Sequence, residues 1–180
     1  MPKTESSEFR TDEEYRFATE TFARLTGHFL FQFARHPLDT KNTIIQNFVA
    51  RAVTMVRGIR SLWDIGDFQD CWILHRSLVD RYFHLVALGK DGLFNTFDDW
   101  SFVKQYEAQN RVRSDPKCKS VLDSPLFTST PEQRTRYAVL AKSPPKWKRP
   151  KAEDVAKEAR ISPLYDYGYD FASTHVHPMA

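Results

Sequence analysis

Apolar residues recur along this chain at three- and four-residue spacing, and no stretch alternates apolar and polar for long enough to argue for a strand. The broadest apolar face falls on Phe68 to Leu88, FQDCWILHRSLVDRYFHLVAL. Wound as a helix, Leu74, Leu85, Leu78, Cys71, Tyr82, Val86, Val79, Trp72 and Phe83 fill an arc of about 180°. An arc that wide predicts neighbours on two sides. Asp67 can cap the start, and Gly89 can end the helix in the left-handed conformation. His75 lies inside the arc, where a core histidine with one hydrogen-bond partner is expected. Arg76 and Asp80 sit at its edge one turn apart, so their side chains meet on one face. His84 continues that line.

The flanking segments read as further helices. Thr11 and Glu14 form a capping box ahead of Phe17, Phe22, Leu25, Phe29, Leu30 and Phe33, and His36-Pro37 ends that helix near Arg35. A second helix starts near Asp39 or Thr40 and runs through Ile44, Phe48, Val53, Val56, Ile59 and Leu62. Its other face carries Arg51, Arg57 and Arg60, either a solvated face or a basic stripe for RNA. The turn at Asp64-Ile65-Gly66-Asp67 folds the central helix back, antiparallel, on the second. Beyond the loop at Lys90-Asp91-Gly92, Asp98 or Asp99 caps a helix holding Trp100, Phe102, Val103 and Tyr106. Asp115-Pro116 marks a kink or fresh start. Thr130-Pro131-Glu132-Gln133 starts another helix. Ser143 to Lys151, SPPKWKRPK, cannot be helical. Its Trp147 lies among cations, placed either to stack a nucleobase or to cover the end of a bundle. A short helix over Glu153 to Ala159 follows.

Ser162-Pro163 begins the last helix. Leu164, Tyr165, Tyr169, Ala172 and Val176 line one side of it, and Asp166, Asp170, Ser173 and His177 another. Pro178 closes it, and the stop two residues later leaves a longer native chain open. The expected architecture is all-α: a helical bundle of six or seven helices around a central helical hairpin. Residues 1–10 read as a flexible lead and 11–180 as a single helical domain.

Composition adds exclusions. With 180 residues, 41% of them hydrophobic and 14% aromatic, the chain can bury a core and is not a disordered one. A net charge of +3 permits an anionic partner without requiring one. The two cysteines, Cys71 and Cys118, form no CxxC pair, so neither a zinc site nor a disulfide framework is indicated. Neither a signal peptide nor a membrane span is visible, which points to a cytoplasmic protein without membrane attachment. The chain lacks a Gly-rich phosphate loop, a His-Glu-x-x-His pair and a Gly-x-Ser-x-Gly elbow. Glu-x-x-His pairs of the di-iron bundles are missing too. Asp80 with His84 is the weak remaining metal pair, since His175 and His177 diverge on a helix. No metal or cofactor is expected.

If the central helix packs on the last one, Arg76, Asp80, Tyr169, Ser173 and His177 converge. Arg76 then holds a phosphate or carboxylate, Asp80 orients it, and His177 exchanges a proton near neutral pH. The same groups can equally form a buried network that fixes helix register and does no chemistry.

Two stretches, RSLVDRYFHL over Arg76 to Leu85 and YDYGYDFASTHVHP over Tyr165 to Pro178, resemble a bacterial domain-of-unknown-function family, number five-six-seven-seven. There an Arg-Ser-Leu-x-Glu helix precedes a terminal Tyr-x-x-x-Ser-x-x-x-His-Pro. Arg76, Tyr169, Ser173, His177 and Pro178 match, and Asp80 replaces the usual Glu. The resemblance covers the chain from about Thr40 onward. It implies a helical fold similar in layout to the HEPN bundles, many of which are ribonucleases of toxin and antiphage systems. Their Arg-to-His spacing is not present here: Arg24 to His28 is too close, and Arg76 to His84 too far. The leading expectation is a helical domain binding a phosphate-bearing ligand, a nucleotide or RNA, in the manner of an HEPN-like defence or toxin effector. His177 and Arg76 are the candidate catalytic residues, and Asp80, Tyr169, Ser173 and Trp147 the candidate ligand contacts. The alternative is a non-catalytic interaction module, a homodimer through an aromatic helix face, with a structural Arg/Asp/His cluster.

Overall fold

The first helix, α1 (Asp12–Phe33), opens on a reciprocal cap. Thr11 Oγ1 accepts from the Glu14 N–H at 3.1 Å, and Glu14 Oε2 accepts from the Thr11 N–H at 3.2 Å. The structure, a computed structural model, describes residues 11–121, 124 and 127–176. Among these residues there are seven α-helices and no strand: α2 (Thr40–Asp64), α3 (Phe68–Asp91), α4 (Phe94–Ser114), α5 (Pro131–Lys142), α6 (Ala152–Glu158) and α7 (Phe171–Val176) follow α1. A 3₁₀ turn over Pro116–Val121 follows α4, and a π-helical segment over Leu164–Asp170 leads into α7. The protein is an all-α helical bundle, as the hydrophobic spacing predicts.

The described chain forms two compact units. The first is Met1–Ala87 with Pro150–Ala180, and the second is Leu88–Arg149. In the first unit α3 is the central element. Asp67 caps it, its carboxylate accepting from the Asp70 N–H at 3.2 Å. On one side α2 runs antiparallel to it. The Cys71 thiol donates to the Ile59 carbonyl at 3.3 Å, Leu74 lies against Gly58, and Arg81 sits over the Phe48 ring. On the other side Val79 and Phe83 pack with Val155 and Ala156 of α6, and Leu164, Tyr165 and Tyr169 close over them. Phe83 is 1% exposed, so its burial stabilises the unit by roughly 1.5–3 kcal/mol.

The turn between α2 and α3 shows why Gly66 is there. It adopts φ 77°, and the N–H groups of Gly66 and Asp67 donate to the carbonyls of Trp63 and Leu62 at 3.0 and 2.9 Å. This is the Schellman arrangement, which needs a left-handed residue. The same arrangement ends α6, where Arg160 and Ile161 donate to Lys157 and Ala156. There the left-handed position, at φ 59°, is occupied by Arg160.

Several expected details change. Gly89 does not end α3, which continues to Asp91; Gly92, at φ 65°, is the left-handed residue. Neither Asp98 nor Asp99 caps α4, which starts earlier, at Phe94, without a side-chain cap. Both carboxylates instead hold Arg136 of α5. Tyr82, expected inside the apolar arc of α3, is exposed. The largest departure is α1. It packs along α2 through buried Ala23, and Phe17, Phe22, Leu25, Phe29 and Phe31 are all exposed. Packing along α2 covers only one stripe of α1, and these rings lie off it.

The second unit contains the predicted Thr130–Gln133 capping box at the start of α5. Tyr106 and Tyr137 stack at 4.3 Å between α4 and α5, and Arg136 lies over Phe102 at 4.4 Å. Residues 143–151 are non-helical, as their prolines require.

Candidate functional site

The last stretch of chain runs antiparallel along α3. Gln69 donates to the His175 carbonyl, Trp72 meets Phe171 and stacks on His175, and Gly168 lies against His75 and Val79. The expected regular helix from Ser162 is widened in its first turns. Its Phe171 N–H donates to the Asp166 carbonyl five residues back, the signature of π-helix. Gly168 permits the close approach, since a Cβ there would stand 3.2 Å from Leu164 and 3.4 Å from both His75 and Val79.

This packing gathers three of the candidate residues. Arg76 Nε donates to Ser173 Oγ at 2.8 Å, and Arg76 Nη2 donates to the Tyr169 hydroxyl at 3.1 Å. The guanidinium carbon also lies 4.7 Å from the centre of the Tyr169 ring. Ser173 passes its own proton to the Tyr169 carbonyl at 2.7 Å, so its oxygen is free to accept from Arg76. The arginine is therefore oriented by two neutral acceptors on the terminal segment. Its expected partner was Asp80, one turn on along α3, but the guanidinium points across to the neighbouring helix instead. No carboxylate among the described residues forms an ion pair with Arg76. His177 and Pro178 lie outside the described residues. Trp147 belongs to the second unit, where its ring packs 4.9 Å from Phe97 and 4.7 Å from Trp100.

A second feature of the first unit could not be read from the sequence. An open cleft of about 1130 Å³ lies between the first turn of α1, the ends of α2 and α3, and the π segment. Trp63, Phe68, Trp72 and Tyr167 supply aromatic walls, with Arg60 and His75 as polar members. Rings of this kind can stack a flat ligand. Arg60 is not the solvated or RNA-facing cation expected on the outer face of α2. Its side chain is 11% exposed and bonds both Asp12 oxygens, at 2.9 and 3.0 Å, and Asp64. Those bonds push Arg60 up and Asp12 down from their ordinary pKa values, leaving the cleft without a net cationic pole. Burial lowers the pKa of His75, only partly offset by the Gly168 backbone, and its Nδ1 is buried without a partner. Burial raises the Cys71 thiol, reinforced by Asp67 and Asp70. The one local signal for this cleft was the pair Trp63 and Phe68 flanking the turn, whose rings meet edge to face at 4.9 Å. Among the described residues no group of three or more His, Cys, Asp or Glu side chains gathers as a metal site. No helix there is long and apolar enough to cross a membrane.

The class this fold defines is an all-α domain whose terminal segment is tied to a central helix through an arginine. Within that class the chain belongs to a family of unknown function, DUF5677, whose model matches residues 42–180. That span begins where the resemblance of the two motifs placed it. No curated protein and no solved structure matches the chain.

Proposed function

We propose that the domain binds a phosphate-bearing ligand through Arg76. The observation that carries this reading is the state of that guanidinium: it is held in place by two neutral groups, Ser173 Oγ and the Tyr169 hydroxyl. A half-buried arginine oriented by neutral groups suits capture of an anionic oxygen pair. A nucleotide and RNA share that chemistry. His177, four residues past Ser173 in the family motif, is the acid–base group in this reading, which would make the domain an HEPN-like effector.

The test compares wild type, Arg76→Lys and His177→Ala for stabilisation by inorganic phosphate, mononucleotides and an RNA oligomer at low and high salt. RNA cleavage is assayed alongside. Lysine keeps the charge but cannot present the planar fork. The expected result is ligand-dependent stabilisation in wild type that Arg76→Lys loses, with a salt dependence growing with the number of phosphates held. Cleavage lost in His177→Ala at unchanged stability supports the effector reading. Absence of stabilisation by all three probes sinks the proposal. A second reading is favoured by the same bonds, which join positions 93 and 97 residues apart. In it Arg76 is a tie that fixes the terminal segment on α3 and contacts no ligand. A wild-type ligand response in Arg76→Lys together with a lower melting temperature would select it.

A further inference from the structure

We propose that the cleft of the first unit binds a neutral, flat heteroaromatic ring of nucleobase type, gripped by Trp63, Phe68 and Tyr167 and read by His75. The cleft offers about 1130 Å³, room for such a ring and its substituent. Much of its ring surface is open: Trp63 and Phe68 are each 50% exposed, and Tyr167 is 76% exposed. The planes of Trp63 and Phe68 cross at 75°. A flat ring stacked on one therefore meets the other edge to face, and these are the two arrangements that aromatic pairs prefer. Trp72 is packed against His75, Phe171 and His175 at 5.6, 5.2 and 5.5 Å, which makes it a fixed wall. Tyr167 is carried by the π turn, whose approach to α3 Gly168 permits.

Charge and hydrogen bonding narrow the ligand further. Arg60 lines the cleft, but its Nη atoms are committed to Asp12 and Asp64. Among the described residues no other arginine or lysine lines it, so an anionic group gains nothing there and a neutral ring loses nothing. Two polar atoms of the lining residues, Arg60 Nε and His75 Nδ1, are buried without a partner. Such an atom costs stability that a ligand group can restore. His75 is the one that can reach a ligand. The χ2 torsion of histidine is broad and two-fold, so a modest turn of its ring presents Nδ1 to the cleft. Burial lowers its pKa, and the neutral imidazole offers Nδ1 as one donor or one acceptor. A heteroaromatic edge supplies the complement, which a hydrocarbon ring cannot.

This site is independent of Arg76, and nucleosides, which have the ring without the phosphate, test it separately. Titration calorimetry of the full chain with adenosine and uridine is expected to give a dissociation constant on the order of 100 µM for at least one of them. Ribose, which lacks the ring, should give no binding over the same range. Trp63→Ala is expected to weaken the nucleoside about tenfold, the share of one stacked base, and Tyr167→Ala several-fold. Both side chains are half or more exposed, so helical circular dichroism and melting temperature should be retained. His75→Leu should weaken binding several-fold, and His75→Gln, which keeps a donor and an acceptor, should weaken it less. Arg76→Lys should bind the nucleoside as wild type does. Absence of binding by both nucleosides into the millimolar range overturns the proposal. So does ribose binding as well as either nucleoside, or a nucleoside response that survives both Trp63→Ala and Tyr167→Ala.

Discussion

Replacing Arg76 with alanine removes a side chain that joins α3 to the terminal segment by two hydrogen bonds at once. The bonds run from a charged donor to Ser173 at 2.8 Å and to Tyr169 at 3.1 Å. A hydrogen bond to a charged group contributes about 1.5–3 kcal/mol when fully buried. Arg76 is only half-buried, so water recovers part of each. Its position over the Tyr169 ring adds about 0.5–1 kcal/mol. We expect a net loss of about 2–3 kcal/mol for Arg76→Ala. Ser173→Ala loses the Arg76 bond and the donation to the Tyr169 carbonyl, and is expected to cost about 1–2 kcal/mol. The two changes share one bond, so the double variant should fall short of additivity by about 1 kcal/mol. Urea unfolding followed by far-ultraviolet circular dichroism, with equal slopes across the cycle, measures this. A coupling below about 0.3 kcal/mol, with Arg76→Ala within about 0.5 kcal/mol of wild type, would refute the tie.

Three further outcomes follow from local geometry. Arg160→Gly should stabilise the protein by about 0.5–1 kcal/mol in the same urea assay, because Arg160 holds φ 59° at the position where Gly66 ends α2; a destabilised variant would contradict the argument. His75 has a folded pKa below its ordinary value, so the unfolded chain binds the extra proton. Its stability contribution is complete above about pH 6.5 and declines as the pH falls from there toward the folded value. His75→Gln should therefore lose less stability than wild type between neutral pH and about pH 5.5, and equal losses would count against it. Gly168→Ala should cost about 1–3 kcal/mol, since its methyl carbon would stand 3.2 Å from Leu164 in a packed π turn; a melting temperature equal to wild type would mean that Leu164 yields freely.

The parts of the fold that were legible are those whose causes lie within one helical turn. The caps at Thr11, Asp39, Asp67 and Thr130 satisfy their own first-turn N–H groups, so neighbouring residues suffice to predict them. The start of α4 was misread because Leu93 offers no side-chain cap, and Asp98 and Asp99 look like caps until Arg136 arrives from α5. The end of α3 was placed at Gly89 because two glycines, three residues apart, offered the same conformation. Only the backbone beyond decided for Gly92. Tyr169 and Ser173, four residues apart, both bond Arg76, and the apolar pattern, which puts them on different sides of the last helix, does not state that. The partner of Arg76 was not legible. A local carboxylate at i+4 competes with acceptors 93 and 97 residues away, and no sequence pattern weighs one against the other.

Helix content, the antiparallel turn around Gly66 and the apolar arc of α3 were determined by the amino-acid sequence, because periodicity and backbone preference are properties of short segments. Tertiary structure decided what each face meets. It turned α1's aromatic stripe outward, drew Arg60 between Asp12 and Asp64, opened the cleft beside Trp63 and widened the last helix at Gly168. The physical reason is common to all four. Burial and ion pairing depend on which distant surface arrives first and how closely it fits, and a hydrophobic pattern states only that some partner is wanted.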